Sequence, residues 1–183
     1  MWYSDGTNFV YRSSADGVNW SDAVSVGACP NGLSGSVWFD GTHVHYARLG
    51  PYTNYYRRGA PNPDGTITWS ADEQTVYSGT SSDVHWGPSI TVDSGGYAWI
   101  GTKYYNGNNS WPWVFKNADN DGTWSTAAGF PHQLSTTFST YWRVSVVPLT
   151  DSKVYVIYAN KNDGCGKLWD GSSWGDEETT MSA

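Results

Sequence analysis

Four times along the chain an aspartate and a glycine are followed, a few positions on, by a tryptophan. The copies are Asp16-Gly17-Val18-Asn19-Trp20, Asp64-Gly65-Thr66-Ile67-Thr68-Trp69, Asp121-Gly122-Thr123-Trp124 and Asp170-Gly171-Ser172-Ser173-Trp174. The tryptophans lie 49, 55 and 50 residues apart. Self-similarity at a spacing of this size marks an array of equivalent supersecondary units, each too small to bury its apolar face without a neighbour. Every unit must then hold the same strands and turns in the same order.

The residues between the repeats say what the units are made of. Long helices draw on Ala, Leu, Glu and Lys at 3.6-residue spacing. Here charged residues are 15% of the chain, and glutamate occurs only at Glu73, Glu177 and Glu178. Twelve tryptophans and thirteen tyrosines, with β-branched residues between Gly, Asn and Asp, read instead as short strands and tight turns. Asp-Gly between alternating runs is a strong hairpin signal. The pattern predicts strands over 2–4, 8–13 and from Trp20 through Val26 in the first unit, and over 36–39, 43–48, 54–58 and 66–69 in the second. The third unit has 89–92, 97–101, 113–116 and a strand opening at Trp124; the fourth has 144–147, 153–158, 167–169 and a strand opening at Trp174. Residues 104–111 and 160–164 read as loops.

Four antiparallel strands in about 50 residues is the size of one propeller blade. The expectation is therefore an all-β chain, a single β-propeller domain over 1–183, with blade-like units at about 1–29, 33–82, 86–135 and 142–180. From the first-turn aspartate to the repeat aspartate is 24, 28 and 19 residues in units two to four, but only 11 from Asp5 to Asp16. The first blade thus lacks one strand, and 15 strands are expected. Three closures fit: a four-bladed ring, part of a six- to eight-bladed ring, or two copies sharing an eight-bladed ring. In the small ring Cys29 and Cys165 fall on one face and could bridge the seam, with two free thiols as the alternative. The tail Thr179 to Ala183 is a further source for the missing strand.

Ser14-Ala15-Asp16-Gly17-Val18-Asn19-Trp20, led into by Tyr11-Arg12-Ser13, resembles the Asp-box, the bacterial neuraminidase repeat written S-x-D-x-G-x-x-W. It departs from that pattern in lacking the residue between Asp and Gly in all four copies, and its Asp-to-Trp gap runs from 3 to 5. The resemblance implies a sialidase-like β-propeller with one box per blade, at the hairpin between strands three and four. The residues give each box a structural role. The carboxylates of Asp16, Asp64, Asp121 and Asp170 accept N–H groups of their own turns, glycine supplies a positive φ, and Trp20, Trp69, Trp124 and Trp174 pack toward a neighbouring blade.

Ligands of such propellers bind on the face opposite the boxes. On that face fall Asp83, His85 and Trp86, then Tyr141, Trp142 and Arg143, each group just before an inner strand, with Tyr105 and Trp111 in the 104–111 loop. Flat rings beside Asn, Asp and Arg suit a sugar, whose C–H faces stack and whose hydroxyls take polar partners. Asp83 and His85, two apart, share a side of an extended segment and form the best acid/base-like pair. The plainer reading has Asp83 capping a turn and His85 bonded locally. The resemblance marks Arg143 as a clamp for a sugar carboxylate; the plainer reading pairs it with a neighbouring Asp or stacks it on Trp142. Arg12, Arg57 and Arg58 lie on third strands, as surface or structural groups. A sialidase also needs a tyrosine–glutamate nucleophile pair, and all three glutamates lie on or after fourth strands, away from the axis. The F-R-I-P arginine signature of that family is absent.

A net charge of -7 and ten scattered Lys and Arg argue against nucleic acid. No run approaches the roughly 18 apolar residues of a membrane span. His43 and His45 share a strand face, but no third ligand accompanies them, so no metal or cofactor is expected. The first residues lack the basic start and apolar run of a secretory leader, while the Asn-, Ser-, Thr-, Gly- and aromatic-rich composition suits an extracellular or surface protein. The leading functional reading is a non-catalytic, carbohydrate-recognising, sialidase-like module with a glycan as partner. The others are a sialidase-like glycoside hydrolase using Arg143 and Asp83, and a structural or protein-interaction propeller of a surface or fibre protein, with homo-oligomers or further blades completing the ring.

Overall fold

A computed structural model describes residues 1–30, 35–138, 143–160 and 163–181. Its regular elements are all strands, arranged in four antiparallel sheets. The first sheet holds β1 (Trp2–Ser4), β2 (Asn8–Tyr11) and β3 (Val24–Ala28), in that order. The second holds β4 (Gly35–Phe39), β5 (Val44–Leu49) and β6 (Thr53–Pro61), with an outer strand in two pieces, β7 (Ile67–Trp69) and β8 (Gln74–Ser78), both paired to β6. The third runs β9 (Val84–Val92), β10 (Ala98–Tyr105), β11 (Ser110–Lys116), β12 (His132–Gln133); the fourth runs β13 (Val144–Pro148), β14 (Val154–Asn160), β15 (Asp163–Trp169), β16 (Glu178–Met181). Each sheet comes from one sequence repeat, and the first has three strands.

The boundaries differ from the sequence expectation where side chains or longer pairing take over. Trp20, Trp124 and Trp174 do not open strands: β3 begins at Val24, β12 at His132 and β16 at Glu178. In the third sheet the cause is visible. Asn117 substitutes its side chain for the ladder, donating to Thr123 O (2.7 Å) and accepting from Ser125 N (3.0 Å). Half of the aromatic stretch taken as a loop over 104–111 is strand. Tyr105 pairs with Ser110 and Tyr104 with Trp111, leaving a four-residue turn. Asn106 closes that turn by accepting the N–H groups of Asn108 and Asn109, while Gly107 takes φ 90°. The 160–164 loop is likewise shortened, since β14 reaches Asn160 and β15 starts at Asp163. The described part of the tail, to Met181, pairs as β16 with β15 and not with the first sheet, and Ser182 and Ala183 lie outside the described residues.

The repeated aspartates organise their hairpins. Asp16 Oδ1 accepts the N–H groups of Val18 and Asn19, both at 2.8 Å, and Asp170 Oδ1 those of Ser172 and Ser173, both at 2.8 Å. Asp64 and Asp121 take the N–H and hydroxyl of Thr66 and Thr123. Donors on the charged form hold these carboxyls low: Asp16 well below the usual carboxylate range, Asp170 at about 2. The following glycines, 17, 65, 122 and 171, all have positive φ.

Three apolar clusters join the sheets in sequence. Phe9, Cys29 and Tyr46 with Trp69 fill the first joint; Tyr56, Ile90 and Phe115 with Trp124 the second; Trp99, Val114, Val156 and Tyr158 with Trp174 the third. Three of the four box tryptophans, Trp69, Trp124 and Trp174, therefore lie at the joint with the preceding sheet, while Trp20 is exposed. Trp174 meets Trp99 edge-on, and Trp99 meets Phe130 at 5.3 Å and 90°; such edge-to-face pairs contribute about 0.5–1.5 kcal/mol beyond burial. Polar ties cross the joints too. Arg48, 5% exposed, ion-pairs with Glu73 and donates to Ala28 O of the first sheet. Arg58 donates to the carbonyls of Asn120 and Asp121 in the third-sheet box. The inner strands succeed one another, β4 against β9 and β9 against β13. No comparable packing joins the first sheet to the fourth among the described residues, and Ile157 on the outer face of the fourth is 47% exposed. Cys29 and Cys165 are buried in the first and third joints and are not joined to each other by a disulfide.

Candidate functional site

The face opposite the boxes carries the turn before β9, the β10–β11 hairpin and the start of β13. The turn Thr80–Asp83 closes on two backbone hydrogen bonds, and the Asn106–Asn109 turn lies against it, with Gly107 beside Ser82. This fixes Asp83 at the rim. Its Oδ1 accepts the hydroxyl of Tyr77 at 2.5 Å, and its charge, after burial, raises the pKa of the Tyr104 hydroxyl. Burial and the same carboxylate raise that of Tyr77. Asp83 is thus a half-buried acceptor held between two protonated phenols.

His85 does come close to Asp83, but inside the protein. It is 2% exposed, Nδ1 is 2.8 Å from Thr102 Oγ1, and its ring is walled by Tyr77, Tyr104, Trp113 and Phe115 at 4.5–6.0 Å. Burial pushes its pKa down to about 3. A neutral imidazole sealed behind four rings holds the wall together and does not exchange protons with a ligand at the rim. Its partner Thr102 comes from the neighbouring strand β10, not from its own turn.

From His85 the aromatic wall runs outward. Tyr104 is stacked on Trp111 (6.2 Å, 26°) and edge-on to Trp113 (5.6 Å). Trp111 is pinned by its Nε1 donating to Thr136 O at 3.2 Å. Tyr104 and Trp111 are both half-buried, so part of each ring reaches solvent. The β9, β10 and β11 pairings put His85, Tyr104 and Trp111 on the side of the third sheet that faces the second. Trp86, Lys103 and Tyr105 alternate onto the side that faces the fourth. There Arg143, exposed at the head of β13, adds its charge to burial in lowering the pKa of Lys103. The expected site residues thus form two groups: Asp83, His85 and Trp111 on one flank, Trp86, Tyr105 and Arg143 on the other. Tyr105 also spends its hydroxyl on Gly107 O at 2.5 Å. Tyr141 and Trp142 lie outside the described residues.

Sequence reasoning missed Tyr77 and Lys103. Tyr77 comes from β8, the second piece of an outer strand, and only the fold carries it to the rim. Lys103 follows the strand taken to end at Gly101, and its alternation with Thr102 and Tyr104 was the available signal. Three tyrosines do bond glutamates, each outside the rim. Tyr46 donates to Glu73, Tyr158 to Glu177 and Tyr155 to Glu178, at 2.6–2.9 Å. Tyr46 and Tyr158 are 0% and 2% exposed and their pKa values are raised, chiefly by burial. These phenols are protonated donors that brace the sheets, not nucleophiles. His45 is equally committed, with Nε2 at 2.9 Å from Asp40 and Nδ1 at 3.0 Å from Tyr56. A second, open hollow of about 730 Å³ lies on the box side between the ends of β4, β9 and β13, among Trp38, Asp40, Asp93 and Lys153. Its two aspartates are tied to His45 and to Trp99 Nε1. No helix among the described residues is long and apolar enough to cross a membrane.

No protein-family profile and no curated protein sequence matches the chain. Solved structures do. A Dyadobacter fermentans protein described as of unknown function superimposes with TM-score 0.60 at 13% identity, over 97% of this chain and 59% of that one. An ulvan lyase from a new polysaccharide lyase family, bound to -[GlcA(1-4)Rha3S]-, gives TM-score 0.61 at 13% identity over 96% of this chain and 50% of that one. An exo-1,5-α-L-arabinanase from a bovine ruminal metagenomic library gives 0.50 at 9% identity, over 97% and 73%. At these identities the likeness is one of fold: a propeller-like array of antiparallel sheets. The chain spans 59% and 50% of the first two structures.

Proposed function

We propose that this chain is a carbohydrate-recognising propeller module that binds a glycan without cleaving it, in an extracellular or cell-surface setting, and that its boxes make it a relative of the Asp-box, sialidase-like modules. The observation that carries the reading is the Tyr104–Trp111 stack, half-open at the rim beside Asp83, while the histidine behind it is sealed and neutral. A sugar laid on the rings presents its C–H face to them, and Asp83 accepts a hydroxyl on the carboxylate edge that Tyr77 leaves open. The fold neighbours described as acting on polysaccharides support the class of ligand. The lack of an open acid/base pair among the described rim residues favours binding over turnover.

A second reading, a sialidase-like hydrolase, draws on one observation: Arg143 and Lys103 set two cations on the adjoining flank, an arrangement suited to an acidic sugar. The two readings separate in one experiment. The chain is screened against an oligosaccharide array, and each binder is then incubated with it and checked for unsaturated or new reducing-end products. Binding with no product supports the module. Product that is lost in Arg143→Ala or Asp83→Ala supports the hydrolase and overturns the proposal.

A further inference from the structure

We infer that the uncovered faces of the first and fourth sheets are the two halves of one more inter-sheet joint, and that a second copy of this chain closes it. The internal joints show what such a joint needs. In the third joint the box tryptophan of the following sheet, Trp174, meets the second-position side chain of β10, and in the second joint Trp124 meets Tyr56, to which the second-position side chain of β5 is bonded. First-position pairs Val44↔Phe39, Ala98↔Val92 and Val154↔Pro148 align the sheets, so this side chain is His45 in sheet two, Trp99 in sheet three and Tyr155 in sheet four. His45 and Trp99 are 1% and 0% exposed beneath the next sheet, the former bonded to the Tyr56 that Trp124 covers, the latter touched by Trp174. Among the described residues no sheet follows Tyr155. With Ile157, 47% exposed, it faces away from the third joint.

The other half lies on the first sheet. Ser21 N bonds Ser13 O as Ser70 N bonds Arg58 O, both at 2.9 Å, so Trp20 is the counterpart of Trp69 and Arg12 of Arg57. Trp69 is packed into the first joint with Arg57 over its ring at 4.6 Å. Trp20, which no sheet among the described residues covers, is 39% exposed, and the Nε of Arg12 is buried without a hydrogen-bond partner. The charges also match. Glu178, bonded to Tyr155, lies on the face that would receive Arg12. The two halves are complementary, belong to one chain, and do not pack on each other among the described residues. A head-to-tail pair makes the joint twice and closes by two-fold symmetry.

Light scattering and sedimentation equilibrium on the full chain test this. The expected particle has twice the 20.1 kDa chain mass. Ile157→Lys and Trp20→Lys, each at a surface position that the monomer tolerates, should each weaken the dimer at least about tenfold, with the near-ultraviolet spectrum as the folding check. Phe39→Lys, 54% exposed on a face outside the joint, should leave it intact. Mixing the Ile157→Lys and Trp20→Lys proteins should recover heterodimer, because one joint in that pair is undamaged. A wild-type chain that stays monomeric at all concentrations overturns the inference. So does a dimer indifferent to either substitution, which would place its interface elsewhere.

Discussion

Arg48 offers the sharpest stability prediction, because it leaves a charge stranded when removed. Its side chain is 6% exposed and that of Glu73 19%. The guanidinium gives Nε to Glu73 Oε1 at 2.7 Å, Nη2 to Oε2, and Nη1 to Ala28 O across the first joint, while it lies 4.3 Å from the centre of the Tyr55 ring. Arg48→Met leaves a largely buried carboxylate with only the Tyr46 hydroxyl, 2.7 Å away. Breaking one side of a buried pair costs about 3–5 kcal/mol. At about 2–4 °C per kcal/mol for a chain of this size, the melting temperature should fall by about 6–20 °C. Arg48→Met with Glu73→Leu removes both charges, and such replacements are near neutral, although the orphaned Tyr46 hydroxyl costs about 1–3 kcal/mol. The double variant should therefore be more stable than Arg48→Met alone, and Tyr46→Phe on top should recover more. Urea unfolding followed by tryptophan fluorescence gives the cycle. Additive losses, or a single-variant loss under about 1 kcal/mol, would refute the view that this pair holds the first joint.

Other outcomes follow from the same geometry. His85 is held near pKa 3 in the fold against an ordinary 6.5, so the unfolded chain takes up its proton first; stability is full above pH 6.5 and falls as pH drops toward 3. His85→Phe should flatten the part of that limb between pH 6.5 and 4, and an unchanged limb would contradict the buried, neutral assignment. Gly122 has φ 106° and an added Cβ would lie 2.6 Å from the Ser70 Cβ. Gly122→Ala should cost about 1–3 kcal/mol in thermal unfolding, while Gly6→Ala, with a similar φ and open space, should cost less.

The architecture was legible in the repeat because its parts are local. An Asp-Gly turn needs only its own N–H groups and a positive φ, so Asp16, Asp64, Asp121 and Asp170 announce their hairpins within a few residues. Strand ends were not legible to the same degree. Tyr104, Tyr105 and Trp111 sit amid Asn and Gly, and that composition hides the cross-strand pairing that carries β10 and β11 to the rim. The candidate site was half legible for the same reason. Asp83 and Trp111 stood out by residue type. But the burial of His85 depends on Tyr77 and Phe115 arriving from other strands, and Tyr46 and Arg48 meet Glu73 only once β5 lies beside the box-side return of its own sheet. Contacts made across joints leave no spacing in the chain.

The most direct measurement is an equilibrium titration of the wild-type chain and Trp111→Ala with the oligosaccharide that binds best on the array, read by calorimetry. Binding by the wild type, weakened at least about tenfold in a Trp111→Ala protein that melts at the same temperature, is the predicted result. Equal affinity for the two proteins, or no glycan bound by either, would contradict the account.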